Sequence, residues 1–177
     1  MDFTVRRLVP DDAPAYRAIR LEGLADAPSA FGASLEEDAA LADDEWRARL
    51  GRNFAYGVFS GARSADELAG IAGFYVEGGT KTKHRGHLVG VYTRPRHRGT
   101  GASRLLLAEV VASARQHVQF LYLQVTQNNL AAVRLYERMG FEVYGKDPGG
   151  LNVDGVMHED YLMVLRLDRG QPESDRQ

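Results

Sequence analysis

Apolar and polar positions change rhythm several times along the chain, and each change marks an element. Residues 3–8, 54–60, 68–76, 84–93 and 120–125 are short runs rich in Phe, Tyr, Val, Ile and Leu, as half-buried strands are. A turn at 61–66 makes a hairpin of the second and third runs. A strand begins at 141–144, a loop follows at 147–150, and residues 156–167 form the last strand. Helical spacing appears elsewhere. Tyr16, Ile19 and Leu24 follow the Pro10-Asp11-Asp12 cap, and Trp46 and Leu50 share a short helix over 44–50. Leu106, Leu107, Val110, Val111 and Ala114 form one stripe. Ala132, Val133 and Tyr136 form another over 129–138, which Gly140 closes. Residues 26–44 carry no clear period: Pro28 and Gly32 interrupt them, and Glu36-Glu37-Asp38 is an acidic run. Hairpin strands followed by strand–helix–strand units predict a mixed α/β sheet. We expect a single domain over 1–167 and a disordered tail at 168–177, which lacks apolar residues.

Composition narrows the function. The 177 residues are 44% hydrophobic and 26% charged, enough for a sizeable core. A net charge of −2 argues against a broad nucleic-acid surface. There is no cysteine, which excludes disulfides, thiolate metal sites and a Cys nucleophile. The five histidines are scattered without ligand spacing, so no metal site is expected. No apolar run approaches the roughly 20 residues of a membrane span, and no export pattern opens the chain, so the expected location is cytoplasmic.

One stretch concentrates chemistry. Residues 89–114 read as a strand ended by Pro95, a glycine turn Arg98-Gly99-Thr100-Gly101-Ala102-Ser103, and the Leu106 helix. A glycine turn opening a helix exposes N–H groups that lack internal acceptors and attract anions. Arg94, Arg96, Arg98 and Arg104, with His97 among them, add positive charge in the sequence around that end. The result is a candidate phosphate or pyrophosphate site. It is not a P-loop, because no Lys follows the glycines. It is a poor dinucleotide fingerprint, because position 104 is Arg where a third Gly is needed.

The turn resembles the acyl-CoA pyrophosphate loop of the GNAT (GCN5-related N-acetyltransferase) superfamily, Gln/Arg-x-x-Gly-x-Gly/Ala after a strand-ending Pro. Arg96-x-x-Gly99-x-Gly101 matches literally. Arg98-x-x-Gly101-x-Ser103 fits the distances from Pro95 and the Leu run better and is the register adopted, with Ser as a small departure. A second segment, 123–141, is similar to the family's strand, Asn, helix, Tyr, Gly-Phe signature. Its Asn129 and Tyr136 lie seven apart on one helical face. The resemblance covers roughly 5–167 and is weakest over 24–52. It implies a GNAT fold, a mixed, mostly antiparallel sheet of six to seven strands flanked by about four helices. It also implies acetyl-CoA as acyl donor, a primary-amine acceptor, direct transfer in a ternary complex, and a homodimer as an option. Val91, Tyr92 and Thr93 would offer backbone groups to the donor. Arg98, Gly99, Thr100, Gly101, Ala102, Ser103 and Arg104 would hold its pyrophosphate, and Asn129 its arm.

The resemblance also assigns acid and base. Tyr136 is the candidate general acid for the departing thiolate, since a phenol near ~10 can protonate a thiol near ~8.5. Members that acetylate ribosomal-protein N-termini carry a Glu five residues before the Asn. Here that position is Gln124, which takes no proton. Other members place a Glu four residues before the donor-contacting trio. Here that position is His87, a candidate general base suited to neutral pH. Glu77 and the His158-Glu159-Asp160 cluster are rivals. Glu36 or Glu37 could recognise a cationic amine, with a solvated helix face as the plainer reading. A catalytically silent acyl-CoA-binding module is the alternative from another class. Retained Asn129 and Tyr136 favour the enzyme.

Overall fold

The computed structural model describes residues 2–61 and 67–167. The expected turn at 61–66, apart from Gly61, and the expected disordered tail at 168–177 lie outside the described residues. Seven strands form one sheet: β1 (Phe3–Arg7), β2 (Phe54–Ser60), β3 (Glu67–Val76), β4 (Arg85–Thr93), β5 (Phe120–Thr126), β6 (Glu142–Val153) and β7 (Val156–Arg166). Their order is β1-β2-β3-β4-β5-β7-β6, and every neighbouring pair is antiparallel except β4 with β5. Five α-helices accompany them among the described residues, one more than expected: α1 (Ala13–Asp26), α2 (Leu35–Ala39), α3 (Asp43–Arg52), α4 (Ala102–Ala114) and α5 (Leu130–Arg138). No helix among the described residues is long and apolar enough to cross a membrane.

Strand alternation divides the core between two faces. On one face α4 lays the predicted stripe Leu106, Leu107, Val110, Val111 and Ala114 against Val58, Phe74, Leu88 and Leu121. Val133 and Tyr136 of α5 belong to that cluster. On the other face Ile19 and Leu24 of α1 and Trp46 and Leu50 of α3 pack on Ala55, Phe59, Ile71 and Tyr92. Each cluster removes large apolar side chains from water, at ~1.5–3 kcal/mol for a fully buried one.

Two regions differ from the sequence reading. Residues 147–150, expected as a loop, lie inside β6, whose register on β7 shifts between Asp147 and Leu151. β6 ends the sheet, and an edge strand can carry Pro148 because its outer side needs no ladder donor. The unreadable 26–44 stretch holds the short α2, opened by a capping box. Ser34 Oγ accepts from Glu37 N at 3.1 Å, and Glu37 Oε2 accepts from Ser34 N at 2.9 Å.

Candidate active site

The sheet divides where its parallel pair runs out. β4 and β5 pair only through Arg85, Gly86 and His87 opposite Phe120, Leu121 and Tyr122. Beyond His87 the cleft-side edge of β4 has no strand beside it among the described residues. A bulge bends β4 there: Gly73 pairs with Val89 and Ile71 with Tyr92, leaving Gly90 and Val91 opposite Ala72 alone. Gly90 takes φ +65, which a side chain would strain. The extra residue also resets the alternation. Val91 packs toward α4, while Tyr92 packs under α1. Val89, Val91 and Thr93 therefore do not share a face, as a regular strand would have them do.

The opening is a cleft of about 1470 Å³. β4 and β5 wall it on two sides, the glycine turn closes one end, and α5 lies along it. At the turn, Gly99 takes φ +73 and Gly101 φ +93 as the residue preceding α4. A Cβ at either position would meet open space within 4 Å, so the backbone is exposed to the cleft. The first α4 amide with a backbone acceptor is Leu105, which donates to Gly101 O. Among the described residues the N–H groups of Ala102, Ser103 and Arg104 have none, the condition for holding an anion. Ser103 at the adopted register is accommodated: its Oγ lies 2.9 Å from Thr93 Oγ1, tying the helix start to the end of β4. Thr100 Oγ1 donates to His97 O at 2.7 Å and tightens the turn.

The cationic collar expected around this end is smaller than the sequence suggested. Arg94 is engaged by Glu22 at 2.8 Å, by Glu67, and by Leu68 O. Arg96 pairs with Glu67. His97 is buried, stacked edge-on against Phe3, and held below its ordinary pKa by desolvation and then by Arg96 and Arg94. Arg98 donates to Thr93 O at 2.9 Å and to Asp26 at 2.6 Å, so its guanidinium braces the turn against α1. Arg104 is exposed and has no ion-pair partner among the described residues. The turn thus has Arg104 and its backbone N–H groups for an anion, rather than four arginines.

The other expected residues converge on the cleft. Asn129 is the N-cap of α5, its Oδ1 accepting from Ala132 N at 3.2 Å, and it also lines the cleft. Capping therefore leaves it at the cleft wall. Tyr136 lines the cleft from the α4 and α5 side, 7% exposed and edge-on to Phe141. Burial raises its phenol far above the ordinary value, so it keeps its proton. Tyr92 turns its phenol away toward Asp26 and Glu22; desolvation first, then those carboxylates, push it up to about 12. Only its backbone is left to serve a ligand in the cleft.

His87 reaches the cleft on the opposite face of the sheet. Its Nε2 lies 2.7 Å from Glu77 Oε1, and its ring stacks between Tyr75 at 5.0 Å and Tyr122 at 5.7 Å. Glu77 is held below the usual carboxylate range chiefly by this bond, and Arg85 supports it at 3.3 Å. An ionised carboxylate only accepts, so the hydrogen of this bond is assigned to His87 Nε2, which leaves Nδ1 as the ring atom that exchanges a proton. The sequence reading treated Glu77 and His87 as rivals; the fold makes them partners. The hairpin register could have shown this. Tyr75 pairs with His87, which sets Glu77 on the diagonal.

The remaining candidates separate. Gln124 lines the cleft. Asp160, 3% exposed, lines it too, with Oδ1 unpartnered and its carboxyl pushed up by burial, while Glu159 turns toward Lys146 at 3.9 Å. Glu37 is used in the α2 cap, so the acidic run does not form an open cation site. Sequence reasoning missed Tyr16, Arg20 and Arg49, which line the cleft from α1 and α3. They carried no motif, and only the packing of three helices brings them together.

A sheet split at a short parallel pair, with a helix start whose first amides lack backbone acceptors inside the split, is the frame of the site. The sequence model of the acetyltransferase (GNAT) family matches residues 21–141. N-alpha-acetyltransferase RimI of Mycobacterium tuberculosis is 35% identical over 144 residues, 79% of this chain and 86% of that protein. A GNAT-family acetyltransferase from Streptococcus pneumoniae superposes with a TM-score of 0.80 at 22% identity, over 94% of this chain and 100% of that one. The Salmonella typhimurium protein yncA, solved with acetyl-CoA, superposes with a TM-score of 0.79 at 21% identity, over 99% and 100%. The chain belongs to the GNAT family of N-acetyltransferases, and the expected fold class is borne out.

Proposed function

We propose that this enzyme moves the acetyl group of acetyl-CoA directly onto a primary amine. The observation that carries the reading is the meeting of three features in one cleft: an open glycine turn, Tyr136, and His87, whose ring is held from behind by Glu77. The donor fits the residues present. The first-turn amides of α4 and Arg104 would take its pyrophosphate. The unpaired edge of β4 at Val91, Tyr92 and Thr93 would take its amides and thioester carbonyl, and Asn129 its arm.

In this scheme His87 accepts the proton that the amine must lose. The neutral nitrogen then bonds to the thioester carbonyl carbon, the carbon–sulfur bond breaks, Tyr136 supplies the proton that the sulfur takes up, and the second proton shed by the new amide nitrogen restores the phenol through water, while the proton on His87 is released to solvent. Glu77 fixes the ring so that Nδ1 is the accepting atom. The RimI relative is named for α-amines, which supports an α-amino group as the acceptor nitrogen. Gln124 offers no base, which supports the transfer of that role to His87.

The test is acetyl-CoA consumption, followed by free-thiol release, with amines, amino acids, aminoglycosides and short peptides as acceptors. The protein has no thiol to interfere. Turnover on one acceptor class is the expected result. Acetyl-CoA binding by calorimetry with no turnover on any class would favour a silent binding module. No binding would overturn the assignment of the glycine turn.

A further inference from the structure

The cleft has an arm that the transfer chemistry does not use. It runs over the β3 and β4 surface toward α1 and α3, and Tyr16, Arg20 and Arg49 line it. Asp38 lies at its back, 1% exposed, and its two oxygens are taken separately. Arg20 Nε donates to Oδ2 at 2.9 Å, and Arg49 Nη1 donates to Oδ1 at 2.9 Å. Two guanidinium charges therefore face one carboxylate, which leaves one positive charge in excess. Neighbouring acids do not balance it. Glu37 caps α2, Asp43 lies 3.4 Å from Arg17, and Asp26 pairs with Arg98. Among the described residues no second carboxylate pairs with Arg20 or Arg49.

The donors are also held in place. Arg20 stacks over Phe31 at 4.6 Å and Arg49 over Trp46 at 5.0 Å, while Tyr16 packs edge-on to Trp46 at 5.8 Å. Burial raises the Tyr16 phenol above its ordinary value, so it remains an O–H donor. Arg20 Nη1 comes within 3.4 Å of the position a Cβ would take on Gly90, so the arm opens at the β4 bulge. Guanidinium forks beside a phenol, with one positive charge left over after Asp38 is counted, suit a carboxylate.

We propose that Tyr16, Arg20 and Arg49 form a carboxylate-binding subsite for the acceptor, so that the favoured acceptor is an amine carrying a carboxylate close to the reacting nitrogen. This rests on the acetyl-transfer reading and names its substrate class. It replaces the cationic acceptor that the Glu36–Asp38 run suggested. The carboxylate has two sources, the α-carboxylate of a free amino acid or an acidic side chain near a peptide amino terminus.

The experiment uses matched acceptors. One arm compares free L-amino acids with their carboxamides. The other compares C-terminally amidated tetrapeptides that carry Asp or Glu at position two or three with their Asn or Gln counterparts. The carboxylate member should have at least tenfold higher kcat/KM in one arm, and that arm identifies the source. Arg49→Gln should raise KM for the carboxylate acceptor by about 10- to 100-fold, the span of a charge-assisted contact. The readout is the ratio of kcat/KM between the matched acceptors: it should fall toward one while acetyl-CoA still binds, and Arg49→Lys should restore part of the preference. Equal use of both members in both arms, an equal loss on both members in Arg49→Gln, or no turnover of any carboxylate probe by protein that binds acetyl-CoA would each overturn the subsite. Failure to bind acetyl-CoA would overturn the acyl-transfer reading beneath it.

Discussion

His87→Gln separates a proton-accepting role from a packing role, because the acceptor's own titration sets the size of the loss. The ring is fixed on Glu77 at 2.7 Å and between two tyrosines, so its protonation change needs no movement. An alkylamine titrates near ~10.4 and a peptide α-amine near ~8, so at pH 7 roughly one molecule in 2,500 of the first and one in ten of the second is neutral. A base inside the cleft lets the abundant ammonium form be used. Its removal should therefore cost up to ~10³-fold in kcat/KM for an alkylamine, within the usual range for general base catalysis, and only ~10-fold for a peptide α-amine. The sign follows directly. As pH rises toward the acceptor's own pKa, solution delivers neutral amine and the deficit of His87→Gln closes. Thiol release measured from pH 6.5 to 10 on both proteins reads this out, and the size of the deficit at pH 7 independently reports whether the acceptor is a peptide α-amine. A deficit that stays constant across that range, or one that comes with weaker acetyl-CoA binding, would refute the role and leave His87 as packing.

Three further outcomes follow from the geometry. Tyr136→Phe should lower kcat by about 10²-fold with acetyl-CoA affinity unchanged by calorimetry, since only the proton donor is lost. Gly101→Ala places a Cβ at φ +93, a left-handed conformation costing about 1–2 kcal/mol, so urea midpoints should fall and acetyl-CoA should bind more weakly. Asp160→Asn should raise Tm at pH 7: burial lifts the folded pKa above the unfolded one, so ionisation costs stability as pH climbs past ~3.9, and the advantage of the Asn should vanish below that pH.

What the sequence revealed and what it hid divide along the range of the interactions. The α4 stripe, the Asn129 cap, the Gly140 stop and the Pro95 strand end are decided by neighbours within a turn or two. All of them stand where spacing put them. The charges do not. Arg94 finds Glu22 and Arg98 finds Asp26, each 72 residues away, and both partners lie on α1. A collar of arginines read from consecutive positions therefore became braces between β4, the glycine turn and the first helix. Asp38 looked like part of a solvated acidic face, yet helix packing closed Arg20 and Arg49 over it. The bulge at Gly90 was equally hidden, because Val89, Val91 and Thr93 keep a regular alternation on paper. A glycine in that run was its one local sign.

That bulge explains why the cleft persists as an opening. α4 packs against β2, β3 and β4 through side chains that are almost wholly buried, and Val118 and Leu121 bring the start of β5 into the same cluster. The two halves of the sheet are thus joined firmly at the Arg85–His87 end and turned apart beyond it. Closing the split would bring β5 against a strand whose bulge breaks the hydrogen-bond spacing, which disfavours a regular strand at that edge. The unmatched N–H and C=O groups there cost free energy unless something supplies partners. A ligand with its own amides, anchored at one end by a helix N-terminus, can adapt to the broken spacing as a strand cannot. On the proposed reading, the irregularity that leaves β5 apart is what would prepare β4 for its donor and leave the opposite face, with His87 and the arginine-lined arm, for the acceptor.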